Sequence, residues 1–310
     1  MGIGGTTTWR VLPADRLIAG YNALLAVIWA ANWNSARHAA GIAGAHAAAA
    51  ALPWLLRRAP RRPWGLMAAV REIYPLLFLV VFWPELDMVR EVLGFYGFDQ
   101  PIARLDRAVF GVHLHQIWMP RMDAPWFSEL MFFSYYAYYA LIFLPPLLMA
   151  ILGRQATLRD MAFRLMVTYV SCYLVYLTFP VYGPHYLWEP HAGPHTDGFF
   201  FQLVAAAQLA GDSRGCAFPS SHVAGAVTIA FLGWRWFSRP VAVVLTLEAL
   251  GVVLSTVYTQ NHYGIDSLAG LVWALALQSV VVPAMLNGWR TPDLQPTLAM
   301  SPALGGPEEA

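Results

Sequence analysis

Residues 214–237 read R-G-C-A-F-P-S-S-H-V-A-G-A-V-T-I-A-F-L-G-W-R-W-F: a polar loop, a Pro-Ser-Ser-His step and then an apolar run. Proline and serine start helices, with the serine oxygen capping N–H groups that have no partner in the first turn. A histidine in that turn is unusual, because the helix dipole there favours anions over cations. One reading is a capped helix that contains a histidine. The other is an anion site, where N–H groups, hydroxyls and a proton donor meet at one helix start.

The apolar run after His222 is one of eight. A spanning helix needs about 20 largely apolar residues, and the sequence offers 16–35, 38–56, 66–84, 127–152, 161–180, 220–237, 240–258 and 264–286. The second is the weakest, being alanine-rich with His38 and His46 near its start. Of the 310 residues 58% are hydrophobic and 12% charged, where soluble domains have about a quarter charged. The expectation is an all-α, polytopic membrane bundle of about eight transmembrane helices. It divides into a cytoplasmic N-terminal segment (1–15), a transmembrane domain (16–286) and a disordered Pro/Gly/Ala-rich tail (287–310). The polar stretch Met1–Ala14 lacks the form of a cleaved signal peptide. A net charge of +1 and the absence of a basic block argue against nucleic acid. Cys172 and Cys216 form no metal or redox motif, and no disulfide, metal or cofactor is expected.

Every one of the 19 basic residues is an arginine. With the N-terminus inside, the inner segments hold Arg10, Arg16, Arg57, Arg58, Arg61, Arg62, Arg154, Arg159, Arg164, Arg235, Arg239 and Arg290. The outer segments hold Arg37, Arg90, Arg104, Arg107, Arg121 and Arg214. This twelve-to-six bias puts both termini in the cytoplasm and Pro-Ser-Ser-His on the outer side of an inner membrane. The long outer loop 85–125 contains I-A-R-L-D-R-A-V-F-G-V, a candidate amphipathic surface helix. The cluster S-Y-Y-A-Y-Y (134–139) reads first as an interfacial aromatic belt, with the lining of a lipid access path as the alternative.

His262 lies in N-H-Y-G-I-D-S, between the last two spans. The hairpin from Pro240 rises about 33 Å, close to one hydrocarbon thickness, so His262 returns to the surface of His222. Asp266 follows His262 by four residues, a spacing that stacks the two on a helical turn. The carboxylate can then hold one ring nitrogen and leave the other free. Two histidines and one carboxylate suit in-line phosphoryl transfer, one ring attacking phosphorus and the other protonating the leaving oxygen.

F-P-S-S-H-V and N-H-Y-G-I-D-S-L-A-G resemble the second and third signature motifs of the type 2 phosphatidic acid phosphatase (PAP2) superfamily. The resemblance covers roughly residues 130–285. R-E-I-Y-P-L-L (71–77) and L-D-R-A-V-F-G (105–111) extend it toward the branch that contains inositol-phosphorylceramide synthase. It implies a six-helix catalytic core at about 127–286, with His262 as the nucleophile of a phosphohistidine mechanism. Asp266 would orient it, and His222 would be the general acid. Ser220 and Ser221 would hold phosphate oxygens, without a metal. The implied partners are a lipid phosphate, the bilayer and a lipid alcohol acceptor.

The chain departs from the family's pattern in its cations. The first motif needs a lysine, and here the stretch after the fifth span reads F-P-V-Y-G-P-H-Y-L-W-E-P (179–190). The third motif usually begins Ser-Arg, and here Ser255 precedes Thr256. Arg214 and then His185 are the candidate replacements at phosphate, with Tyr182 and Tyr186 as weaker substrate contacts. For Arg214 a solvated loop charge is the competing reading, and for the tyrosines interfacial anchoring is. Fewer cations suit a phosphodiester, which favours a headgroup transferase as the alternative to a phosphatase. A transporter with a His/Asp proton relay is a further alternative, disfavoured because the histidines cluster at one surface. An Arg71–Glu248 pair within the inner half of the bundle is also geometrically allowed.

Overall fold

The structure, a computed structural model, describes residues 11–34, 36–57 and 65–289. Arg10, Arg58, Arg61, Arg62, Arg290 and nearly all of the tail expected to be disordered lie outside the described residues. In chain order the helices are α1 (Pro13–Ala31), α2 (Ala39–Leu56), α3 (Leu66–Leu93), α4 (Asp99–Phe110), α5 (Leu114–Arg121), α6 (Pro125–Ile151) and α7 (Gln155–Thr178). They continue as α8 (Pro184–Leu187), α9 (Phe199–Gly211), α10 (Ser221–Trp236), α11 (Arg239–Tyr258), α12 (Gly264–Ala276) and α13 (Val282–Gly288). A π turn at Leu277–Val281 joins the last two into one rod.

Among the described residues six segments are long and apolar enough to cross a membrane: α2, α3, α6, α7, α11 and the rod Gly264–Gly288. The chain is an all-α membrane bundle. The other two expected spans, α1 and α10, are helices of the same bundle outside that set. Helix α10 has 16 residues, about 24 Å of rise, and lies among α6, α7, α11 and α12. Helix α7 is the central post, with 78% of its most apolar window buried, and it packs against α1, α3, α6 and α10.

Two stretches depart from the sequence expectation. Helix α3 runs through Pro75 and Pro84 to Leu93 and stops where Gly94 adopts φ +71°, a left-handed conformation that glycine reaches without strain. Residues 85–93, expected in the outer loop, are therefore helical. The candidate amphipathic helix forms as α4, which stops at Gly111, φ +76°. Helix α9, 13 residues and apolar, was not expected from the sequence.

Polar contacts pin the bundle at the end opposite His222. Asp15 of α1 receives Arg71 at 2.5 Å and the Tyr74 hydroxyl at 2.6 Å. Glu72 takes a two-pronged contact from Arg159, and Asp160 is shared by Arg164, Arg235 and the Trp236 indole. Arg71 thus pairs with Asp15 and not with Glu248, because α1 starts beside α3 and brings its first-turn carboxylate within reach. Higher up, His46 bridges Asn22 (2.8 Å) and Glu85 (2.7 Å), and Glu85 also accepts from Trp29. That network adds a polar tie to the alanine-rich α2, which also packs along α1 and sets Ala39, Ile42, Ala43, Leu52 and Leu56 against the core. In the core, Gln278 of the π turn donates to Thr168 and Thr228 and accepts from Arg164.

Gly270 sets the spacing of α10 and α12. A Cβ there would lie 2.5 Å from the Ser220 carbonyl oxygen and 3.1 Å from the Val223 Cβ. Gly270→Ala is expected to force the two helices apart, costing about 1–3 kcal/mol. Thermal unfolding in detergent measures this cost. An unchanged midpoint would contradict the tight approach.

Candidate active site

The C-terminal end of α7, the N-terminal ends of α10 and α12 and two loops build the site. Ser220 caps α10, its hydroxyl accepting from the Val223 N–H at 3.3 Å, as the Pro-Ser-Ser step suggests. The loop that leads into α10 is fixed from beneath. Val181 donates to Gly215 O (3.1 Å) and accepts from Ala217 N (2.9 Å), tying residues 179–183 to 213–217. The Phe218–Pro219 peptide is cis. Tyr176 of α7 donates to Pro219 O (2.6 Å) and accepts from Ser221 N (3.0 Å).

The loop after α11 doubles back through Gln260, which has φ +62°. Asn261 N and His262 N both bond to Thr256 O, closing a tight turn that aims His262 at α10. The His222 and His262 rings are 5.8 Å apart. His262 Nε2 is 3.1 Å from Ser220 Oγ, and its Nδ1 is 3.5 Å from Asp266 Oδ2. The ring is therefore oriented as the i, i+4 spacing suggests, carboxylate on one nitrogen and the other nitrogen in the site. The Nδ1 contact is an ion-pair contact, not a formed hydrogen bond. Asp266 Oδ2 accepts from Tyr263 N at 2.9 Å instead.

His222 sits in an aromatic box. Tyr138 is 4.4 Å and Tyr135 5.1 Å from its ring, and Trp83 meets it edge-on at 6.3 Å. The aromatic cluster of α6 is thus divided. Tyr135 and Tyr138 face inward onto His222, whereas Tyr136 and Tyr139 are exposed. With Phe133, Ala140, Phe200 and Ala207, the exposed pair lines a groove of about 620 Å³ between α6 and α9.

The phosphate-binding candidates separate. Ser220 and Ser221 are buried beside His262. Their N–H groups, however, are taken by Asp266 O and by Tyr176, so hydroxyls and not free amides are what they can offer a ligand. Arg214 is exposed on the lead-in loop. It stands with Tyr186 and Asp212, whose side chains share a 2.5 Å hydrogen bond. Burial and that bond push the Tyr186 hydroxyl above its ordinary pKa, and Arg214 opposes the shift. His185 packs against Tyr186 at 5.0 Å.

Tyr182 points elsewhere. Its hydroxyl accepts from Arg90 (2.9 Å), and the guanidinium lies over its ring. Its N–H and that of Gly183 donate to Asp99, whose carboxyl burial raises above the usual range while these two bonds pull it back. Arg90, buried and packed against Gly215, is a cation that the sequence reading did not single out. Only its spacing from Trp83, two turns along one face of α3, hints that it belongs to this end of the bundle.

A family model described as the PAP2 superfamily matches residues 100–280. No curated protein and no solved structure matches the chain in the corresponding comparisons.

Proposed function

The chain belongs to the PAP2 superfamily, a family of phosphatases and phosphotransferases, and on that premise we propose that it transfers the phosphoryl group of a membrane lipid through a phosphohistidine. One observation carries the reading: His262, held between Asp266 and Ser220, faces His222 at 5.8 Å, close enough for both rings to reach one phosphorus.

His262 Nε2 attacks phosphorus as the P–O bond to the lipid breaks, and His222 gives its proton to the departing oxygen. Asp266 holds the Nδ1–H and balances the charge on the imidazolium. Water or a lipid alcohol then attacks the phosphohistidine, returning its proton to His222 and freeing His262 Nε2. Ser220 and Ser221 offer hydroxyls to the phosphoryl oxygens. No step needs a metal.

Three features support a lipid substrate at the outer face. The groove between α6 and α9 is lined by aromatic and small residues and abuts the helix that covers His222, a shape suited to an acyl chain. The arginine bias of the sequence supports an outward orientation for this end of the bundle. Arg214 at the rim supplies a cation in a chain without lysine, sufficient for a headgroup with few charges. Arg214→Ala is expected to raise KM about tenfold with little change in kcat, since a rim charge contributes to binding in ground and transition states alike. Steady-state kinetics in mixed micelles reads this split.

The overall test incubates purified protein with labelled phosphatidate or phosphatidylinositol, with and without diacylglycerol or ceramide. Release of inorganic phosphate identifies a phosphatase. A new phospholipid identifies a headgroup transferase, the reading that the sparse cations favour second. Neither product from any pair would sink the proposal.

A further inference from the structure

Asp106, His113 and His115 form a second cluster of chemistry-bearing side chains, beside the catalytic residues but not among them. Their ligand atoms all lie within 4.8 Å of one another. His113 Nδ1 is already 3.3 Å from Asp106 Oδ2, about the separation of two ligands on one small cation. His115 is 0% exposed, and neither of its ring nitrogens has a hydrogen-bond partner among the described residues. A buried imidazole with two unmet nitrogens is costly unless something else occupies one of them.

We infer that Asp106, His113 and His115 bind a divalent d-block cation of the zinc class, which fastens α4 and α5 to the catalytic loop. Two imidazoles and one carboxylate suit zinc, and the all-oxygen preferences of calcium and magnesium do not fit them. Three protein ligands leave a fourth position for water. A surface pocket of about 280 Å³, lined by Gln100, Ala103, Arg104, Arg107 and His113, reaches the cluster from outside.

The surroundings hold the ligands in place. The Trp188 ring lies 5.6 Å from His113 and 5.5 Å from His115, and Tyr263 meets His115 edge-on at 5.2 Å. His191 Nε2 donates to the His115 carbonyl at 2.8 Å. The other oxygen of Asp106 accepts from Ile265 N at 3.0 Å, one residue before Asp266. A cation on Asp106 therefore stiffens the mount of the His262–Asp266 pair without touching the reacting atoms. This reading stands apart from the phosphoryl-transfer proposal, since it concerns binding and not turnover.

The test uses the full chain in detergent, its affinity tag removed, stripped with a chelator and dialysed. Cobalt(II) chloride is titrated in and the visible ligand-field absorption followed, then zinc chloride is added in competition. The expected result is an intense tetrahedral-type band that saturates at about one equivalent and is displaced by zinc. His113→Gln and His115→Ala are expected to lose the band, and His38→Ala, at an exposed histidine far along the chain, to keep it. His113 is partly exposed, so its variant remains informative if His115→Ala does not fold. No band in the wild-type protein, or an unchanged band in folded His113→Gln, overturns the site.

Discussion

His262→Ala should reduce turnover of a lipid phosphate by about 10⁴-fold or more, because it removes the proposed nucleophile. The structure makes the outcome specific. His262 is the ring that stands between a carboxylate and a serine hydroxyl, with Nδ1 toward Asp266 and Nε2 toward Ser220. A covalent intermediate should therefore be trappable on the wild-type enzyme with a labelled phosphoryl group quenched in alkali. It should be lost in acid, as a phosphorus–nitrogen bond is. The variant should show no label at all. Label of equal intensity on His262→Ala would place the nucleophile elsewhere.

His222→Gln carries the second large effect, a loss of about 10²–10⁴-fold on an alkyl phosphate, the range of a positioned general acid. The loss should depend on the leaving group. A nitrophenyl phosphate departs without a proton and should recover most of the first step, which an alkyl lipid cannot. With His222 as the proposed base for the second step too, the variant should accumulate labelled protein with the activated substrate. Equal losses on both substrates would mean that His222 is a structural filler of the aromatic box formed by Tyr135, Tyr138 and Trp83.

The parts of this molecule that were legible in the sequence are those with a one-dimensional signal. Apolar runs fix where helices lie, and Ser220, His222, His262 and Asp266 sit at spacings that a helix start and a helical turn translate directly into contacts. What stayed hidden depends on neighbours. The apolar run ends the third span at residue 84, yet α3 continues through Pro84 to Leu93, its face kept buried by Leu86, Val89 and Arg90. Asp15 lies just before a span and carries no sign that it will close on Arg71. The four tyrosines of α6 read as one belt, and only the position of α10 shows that two of them cover His222. The His113-x-His115 pair with Asp106 was visible as residues. Asp106 falls in the amphipathic stretch and the two histidines in the rest of the outer loop, and nothing local says that Trp188 and Tyr263 will enclose them.

The Asp15–Arg71 pair also bears on how the protein is made. The two residues are 56 positions apart, so α1 leaves the ribosome with a carboxylate whose partner has not yet been synthesised. A lone charge near a bilayer is costly, and an uncompensated one in a packed interior more so. The first helix therefore gains from settling into the bundle together with the third, which brings the compensating charge. The sequence separation of two paired charges thus bears on the order in which their helices can pack.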